Sequence, residues 1–251
     1  MKLHHEEVTI KTADGSCDAH FTHPADGAHP GVILYMDAFG VRPYLKEMAD
    51  KLAGKGYAVL VPNLFYRSGH APVLKLTYPV KAEDMIKYRP QIMELIQSLS
   101  PEAAMRDAGA YLDFLASHKT AVKGQKFGTT GYCMGGAFSL RTAARYPDRI
   151  AAAASFHAGR LVSDASDSLH LELGKIKAQV YVAHADNDQS MPPDQIAKFK
   201  EAVKKSSIHA EVELYEGAAH GFTMKDLPAY NAEALERHWA KLTAFFDRAF
   251  K

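Results

Sequence analysis

Three positions in this 251-residue chain are spaced so that together they could cleave an acyl bond, and the first of them is a cysteine. Cys133 stands in Thr129-Thr130-Gly131-Tyr132-Cys133-Met134-Gly135-Gly136, a Gly-x-Cys-x-Gly pattern. An apolar, β-prone run at 127–132 precedes it, and a helix-like stretch at 137–145 follows at once. A nucleophile held on so sharp a strand-to-helix turn has a strained backbone and closely passing neighbours, and Gly131 and Gly135 supply the room because they lack a Cβ. The helix that follows aims its N–H groups and the positive end of its dipole at the sulfur, which favours thiolate. The same residues also suit a buried structural cysteine beside a glycine-rich turn. Residues downstream separate the two readings: the acidic pair Asp186/Asp188 and His220, each directly after a predicted strand. In open parallel sheets, working residues gather just past the C-terminal ends of strands. Nucleophile, then acid, then histidine is the chain order of a known acyl-transfer triad, in which the nucleophile attacks an acyl carbon.

The elements that must position these residues alternate between strand and helix. Residues 6–11 and 17–23 read as an antiparallel hairpin across Ala13-Asp14-Gly15, since Asp-Gly is a strong hairpin turn. Cys17 lies in this hairpin, with no helix terminus or histidine partner near it in sequence, and reads as strand filler. Gly31-Val32-Ile33-Leu34-Tyr35 is the continuous apolar run of a strand buried on both faces. The loop Met36-Asp37-Ala38-Phe39-Gly40 follows, then a helix opened by Pro43 and ended by Gly56, then a strand at 57–61. This is the rhythm of a mostly parallel, doubly wound α/β sheet with helices on both faces and an antiparallel hairpin at its start. Residues 62–79 are irregular and rich in proline, glycine and aromatics, and they hold Asn63, Phe65, Tyr66, Arg67, His70 and Tyr78; excursions of this length are often functional. Helices are predicted at 81–97 and 101–117, the second capped by Ser100 with Pro101 in its first turn. Beyond the cysteine come strands at 150–156, 178–184 and 210–215 and helices at 194–205 and 231–249. A loop at 157–174 carries Arg160, Asp164 and His170. No repeat, low-complexity tract or linker interrupts the pattern, so one domain over 1–251 is expected.

Composition narrows the chemistry. The apolar fraction of 47% is ample for a large core, and 30 basic against 29 acidic residues leave a net charge of +1, which argues against a nucleic-acid surface or a polybasic membrane anchor. Met1-Lys2-Leu3-His4-His5-Glu6-Glu7 has no apolar signal core, and no stretch approaches the roughly eighteen apolar residues of a membrane span. Two cysteines are too few for a disulfide framework. A soluble protein in a reducing compartment, the cytoplasm, fits these features; a small-molecule partner and a monomer or small homo-oligomer are expected beside it, though composition does not set the oligomeric state. The histidines show no His-Glu-x-x-His spacing or other clear ligand cluster, so neither a metal site nor any other cofactor is expected.

Over nearly its whole length the chain resembles the dienelactone hydrolase family. The resemblance is carried by Gly131-Tyr132-Cys133-Met134-Gly135-Gly136, the Met36-Asp37-Ala38-Phe39-Gly40 loop, Asn63-Leu64-Phe65-Tyr66-Arg67, Asp188 with Pro192, and His220-Gly221-Phe222. It implies an α/β-hydrolase fold without a large lid domain, and a Cys-His-Asp triad that opens lactones and some esters. The family's acid lies four residues before a proline, which selects Asp188 and leaves Asp186 as a turn-forming or solvated carboxylate. His220 would take the thiol proton, Asp188 would orient the imidazole, and Cys133 would form a thioester that water hydrolyses. The fold's rule for the oxyanion hole points to the backbone N–H groups of Met134 and Ala38. Two positions depart from the family. Asp37 stands where family enzymes carry a glutamate touching the resting thiol, and it either restrains the thiol or pairs with Arg42 or Arg67 and braces the loop. Met224 stands where they carry an arginine that grips the substrate carboxylate, a task that Arg67, Arg89 or Arg160 could assume. Arg67, Phe39 and Tyr78 are the substrate-binding candidates. The alternatives are a thioesterase or general carboxylesterase with the same triad, or a redox-sensing or binding protein that keeps the elbow without turnover.

Overall fold

β1 (Leu3–Thr12) and β2 (Gly15–Pro24) form the antiparallel hairpin that the Asp-Gly turn predicts, in register from Leu3↔Pro24 to Thr12↔Gly15, in a computed structural model that describes residues 1–250. β2 pairs antiparallel with β4 (Ala58–Pro62), which runs parallel to β3 (His29–Tyr35) with Val32 opposite Val59. Val32, Ile33, Leu34, Val59 and Leu60 have no exposed surface, which accounts for the unbroken apolar runs. The strand order of the sheet is β1-β2-β4-β3-β5-β6-β7-β8, an α/β arrangement with the antiparallel pair at one edge.

The chain divides into two compact units, residues 1–127 with 226–228, and residues 128–225 with those from 229 onward. β5 (Val122–Tyr132) belongs to the first by its beginning and to the second by its end.

In the first unit α1 (Pro43–Ala53) follows β3 and packs on β2 and β4. Ser100 caps α3 (Pro101–Ser117) by accepting from the Ala103 N–H at 3.4 Å, as the Ser-Pro pair predicts. α3 buries Met105, Ala108, Tyr111, Leu112 and Leu115 on the i, i+3, i+4 spacing of an amphipathic helix. Its neighbour in sequence, α2 (Ala82–Ser98), buries only Ile92 and Leu95, carries Pro90 in its interior and leaves Ile86 80% exposed.

In the second unit β6 (Ile150–Phe156), β7 (Gln179–Ala185) and β8 (Ala210–Tyr215) run parallel, with Ala154 opposite Tyr181 and Val182 opposite Val212. α4 (Met134–Arg145) and α7 (Ala232–Ala249) pack on β6. The short α5 (Leu169–Glu172) with a 3-10 turn lies in the predicted loop, and α6 (Pro193–Ser206) links β7 to β8. The two boundaries that flank the cysteine differ from the sequence expectation. β5 starts at Val122, because Lys123 to Lys126 are exposed and give no apolar signal; α4 starts at Met134, where Gly135 and Gly136 mask the helix by their low propensity. Among the described residues no helix is long and apolar enough to cross a membrane.

Candidate active site

The end of β5 is built around Cys133, which takes φ 55° and ψ −122°, a conformation that L-residues rarely adopt. A Cβ placed on Gly131 would lie 2.0 Å from the carbonyl oxygen of Gly135, so the turn closes only with glycine there. The Cys133 N–H is shared between the carbonyl of Phe156 and Nδ1 of His157, each at 3.1 Å. α4 begins at Met134, and its first-turn N–H groups lie directly after the sulfur-bearing residue.

The loop after β7 supplies the acid. Asp188 is buried; its Oδ1 accepts from the Ser190 N–H at 2.8 Å and from Ser190 Oγ at 2.6 Å, and its Oδ2 lies 2.6 Å from Nδ1 of His220. Ser190 can come so close because Gly159 has no side chain; a Cβ there would sit 2.3 Å from Ser190 Oγ. A carboxylate on Nδ1 fixes that nitrogen as the donor and leaves Nε2 for another partner, and Cys133 is near enough to act on the imidazole. Burial by itself would lower the pKa of His220, but Asp188 and Cys133 overcome it and carry the imidazole up to about 10. Burial would raise Asp188, and His220 and Ser190 outweigh that to hold the carboxyl below its usual range. The Asp188–His220 pair is therefore ionic at neutral pH.

Asp186 has different work. Its Oδ1 accepts from the Asn187 N–H at 2.9 Å and its Oδ2 from the Gly217 N–H at 3.0 Å, so it braces the loop beneath Asn187, which has φ 54°. Cys17 is fully buried, donates weakly to the carbonyls of Asp18 and Asn63, and burial pushes its thiol up to about 12, which suits strand filler.

Sequence reasoning missed His157, although it too lies directly after a strand. It has φ 40° and no exposed surface. Because Nδ1 accepts from Cys133, Nε2 carries the hydrogen and donates to Thr223 Oγ1 at 2.7 Å. Burial, together with His220 and His238, holds it well below the ordinary histidine range, so it is neutral. Its ring meets that of His220 edge to face at 5.4 Å. A neutral ring thus positions the elbow from behind without adding charge beside the ionic pair. Thr223→Val is expected to lower kcat by about tenfold with little change in KM, because losing a buried partner costs roughly 1–3 kcal/mol and frees the ring that sets the elbow. Thr223→Ser should restore the rate; lost stability with an unchanged kcat would reduce the pair to packing.

In the first unit, the loop after β3 is a tight turn. Gly40 N–H donates to the Asp37 carbonyl at 3.2 Å and Phe39 N–H to Asp37 Oδ1 at 2.8 Å, with Ala38 between them. Both Asp37 oxygens also receive Arg42, at 2.7 and 2.9 Å, and the other edge of that guanidinium takes both oxygens of Asp226, at 2.6 and 3.1 Å. Arg42 has a fully buried side chain, and Asp226, six residues past His220, was not singled out by sequence reasoning. The Asp37 carboxylate is therefore engaged as in the bracing alternative. Phe39 and Tyr78, expected as substrate contacts, flank Arg42 with ring centres 5.6 and 5.8 Å from its guanidinium carbon. The Tyr78 hydroxyl is buried without a hydrogen-bond partner among the described residues, and burial pushes it up to about 12. The expectation for Arg67 needs correction: it is tied to Asp107 at 2.8 Å and to Asp14 at 2.6 Å and lies over the Tyr66 ring, so its donors are already engaged. Met224 is fully buried, whereas Arg89 and Arg160 are exposed. A second correction concerns ligand clusters. The register of the β1–β2 hairpin gathers His4, Glu6 and His23, which their spacing in sequence does not reveal.

A mostly parallel sheet in this strand order, a cysteine on the strand-to-helix elbow and an Asp–His pair after its last two strands define an α/β-hydrolase. The model of the dienelactone hydrolase family matches residues 17–250, and the chain belongs to that family; it is a dienelactone-hydrolase-like hydrolase. A carboxymethylenebutenolidase from Rhodococcus opacus is 24% identical over 249 residues, spanning 97% of this chain and 92% of that relative. The fold is similar to that of a provisional dienelactone hydrolase from Klebsiella pneumoniae, with a TM-score of 0.84, 22% identity and coverage of 98% of this chain and 99% of that one. It is also similar to a dienelactone hydrolase-like promiscuous phosphotriesterase from metagenomic libraries, with a TM-score of 0.77, 23% identity and 99% of both chains covered.

Proposed function

We propose that the protein hydrolyses lactones or small carboxylic esters through Cys133, His220 and Asp188, as one catalytic domain spanning the chain. The observation that carries this reading is the 2.6 Å contact from Asp188 to Nδ1 of His220, an imidazole that Cys133 also helps to hold charged. The sulfur, its proton already held by His220, attacks the acyl carbon, and the negative charge that develops on the carbonyl oxygen is met by the Met134 N–H. Collapse of the intermediate breaks the C–O bond, and the His220 proton passes to the departing alkoxide, leaving a thioester. Water then gives a proton to His220 and attacks the same carbon, which returns the sulfur and releases the acid. In a lactone, the alkoxide and the acid are two ends of one product. The Rhodococcus relative's name denotes an enzyme acting on a butenolide, an unsaturated lactone, which supports this substrate class. A cytoplasmic, reducing location is part of the same reading, since both cysteines are free thiols.

Steady turnover of a simple lactone and of p-nitrophenyl acetate under reducing conditions is expected; a single burst equal to the enzyme concentration would instead indicate a thiol that is modified and not regenerated. Substrate charge gives a sharper result. Met224 puts no cation where the family's arginine would stand, and Arg67 is engaged. An acid substrate is therefore expected to show a lower kcat/KM than its methyl ester, because an unpaired buried carboxylate costs roughly 2–5 kcal/mol. A strong preference for the acid would reverse this, and loss of that preference in Arg160→Ala would identify the cation responsible.

A further inference from the structure

We infer that the β1–β2 hairpin carries a binding site for one divalent transition-metal ion of the zinc class, formed by His4, Glu6 and His23. His4 and His23 face each other directly across the two strands, and Glu6, two residues along β1, is on the same face as His4 by the alternation of a strand. The ligand atoms of the three side chains all lie within 4.8 Å of one another. Oε1 of Glu6 is 3.5 Å from Nε2 of His4 and 3.6 Å from Nε2 of His23. These separations are too long for charge-assisted N–H···O contacts, which fall at about 2.7–2.9 Å. They are close to the roughly 3.3 Å edge of a tetrahedron whose centre is about 2.0–2.1 Å from each ligand.

His23 supplies an independent sign of a ligand. It is buried, and its Nδ1 lies 2.7 Å from the Pro24 carbonyl, which can only accept. Nδ1 is therefore the protonated nitrogen, and in the neutral ring Nε2 turns a lone pair toward a carboxylate. Two acceptors facing each other repel unless a proton or a metal cation lies between them, and the 3.6 Å separation is long for a shared proton. An imidazole whose other nitrogen donates to a backbone carbonyl is the arrangement that orients metal-ligating histidines. Two imidazoles and one carboxylate suit zinc and its late first-row neighbours rather than magnesium or calcium, which take all-oxygen sets. His4 and Glu6 are partly exposed, which leaves space for water as a further ligand. A cation here joins β1 to β2 at the end of the hairpin remote from its turn, and β1 is the sheet's outermost strand.

The test is a titration of the metal-free, full-length protein with cobalt(II), followed by competition with zinc(II) and magnesium(II). One equivalent is expected to bind with visible d–d absorption and no thiolate charge-transfer band, to be displaced by zinc and not by magnesium. Loss of an orienting partner already weakens metal sites by about 10–100-fold, so His4→Ala and Glu6→Gln, both at partly exposed positions, should each weaken binding by at least about 100-fold. His5→Ala, which alters the histidine paired with Asp50, should leave it unchanged. Zinc should raise the melting temperature of the wild-type protein and not that of His4→Ala, with hydrolytic activity the same in both. No binding by the wild-type protein, a thiolate band, or affinity unaffected by His4→Ala and Glu6→Gln would each overturn the site.

Discussion

Cys133→Ala is expected to abolish hydrolysis, with a fall in kcat of the order of 10⁶, while the protein stays folded. In a comparable triad, loss of the nucleophile alone removes about that factor. The fold should survive because alanine keeps the one Cβ that the turn already accommodates, and the close approach depends on Gly131. The companion variant Cys17→Ala should retain nearly full turnover, since that thiol is buried in the hairpin and burial pushes it up to about 12. Steady-state kinetics and circular dichroism on the two variants make the comparison. Residual turnover in Cys133→Ala within about tenfold of wild type would remove the cysteine from the mechanism and leave water attack under His220 as the route.

Asp188→Asn should be the second most damaging change, at about 10⁴ in kcat. An amide in place of the carboxylate lets Nδ1 lose its donor role and stabilises the wrong tautomer, and in a serine-protease triad the equivalent change costs about that much. The variant should also show its effect in the pH profile. Asp188 is among the groups that carry His220 up to about 10, so without it the alkaline limb attributable to the imidazole should move to lower pH. The sign for stability follows from the same pair. His220 is raised on folding, so its contribution is full below the unfolded value near 6.5 and fades as pH rises toward about 10. Asp188 is lowered, so its contribution is present above the unfolded value near 3.8 and fades as pH falls through the folded one. Asp186→Asn keeps an oxygen for one of its two backbone partners and should cost less than about tenfold. A larger loss at Asp186 than at Asp188 would exchange their roles.

The elements that hold these residues were legible because each has a strong local signal. The runs at 31–35 and 57–61 read as buried strands since both faces are covered, and Ser100-Pro101 announces α3 by cap chemistry that needs no tertiary context. The Gly-x-Cys-x-Gly turn was readable for a similar reason: Gly131 is required by a steric contact only four residues away. What escaped depends on contacts distant in sequence. His157 meets Thr223 across 66 residues, and Arg42 meets Asp226 across 184, so neither pair leaves a spacing that the chain displays. The His4–Glu6–His23 group escaped because it depends on strand register, and a slip of one residue would have turned its members to opposite faces. Arg67 was misread because an arginine in an aromatic loop looks the same in sequence whether it awaits a ligand or is locked to Asp107 and Asp14.

The sparse attachment of α2 has a consequence for how the molecule tolerates change. Pro90 deprives the helix of one backbone hydrogen bond at a cost of about 3 kcal/mol, and only Ile92 and Leu95 are buried within it to offset that loss. Such a segment is expected to open locally at a small fraction of the global unfolding free energy, which hydrogen exchange would show as α2 amides exchanging while the β-sheet stays closed. Insertions, tags and chain nicks within residues 82–98 would therefore disturb little of the buried core.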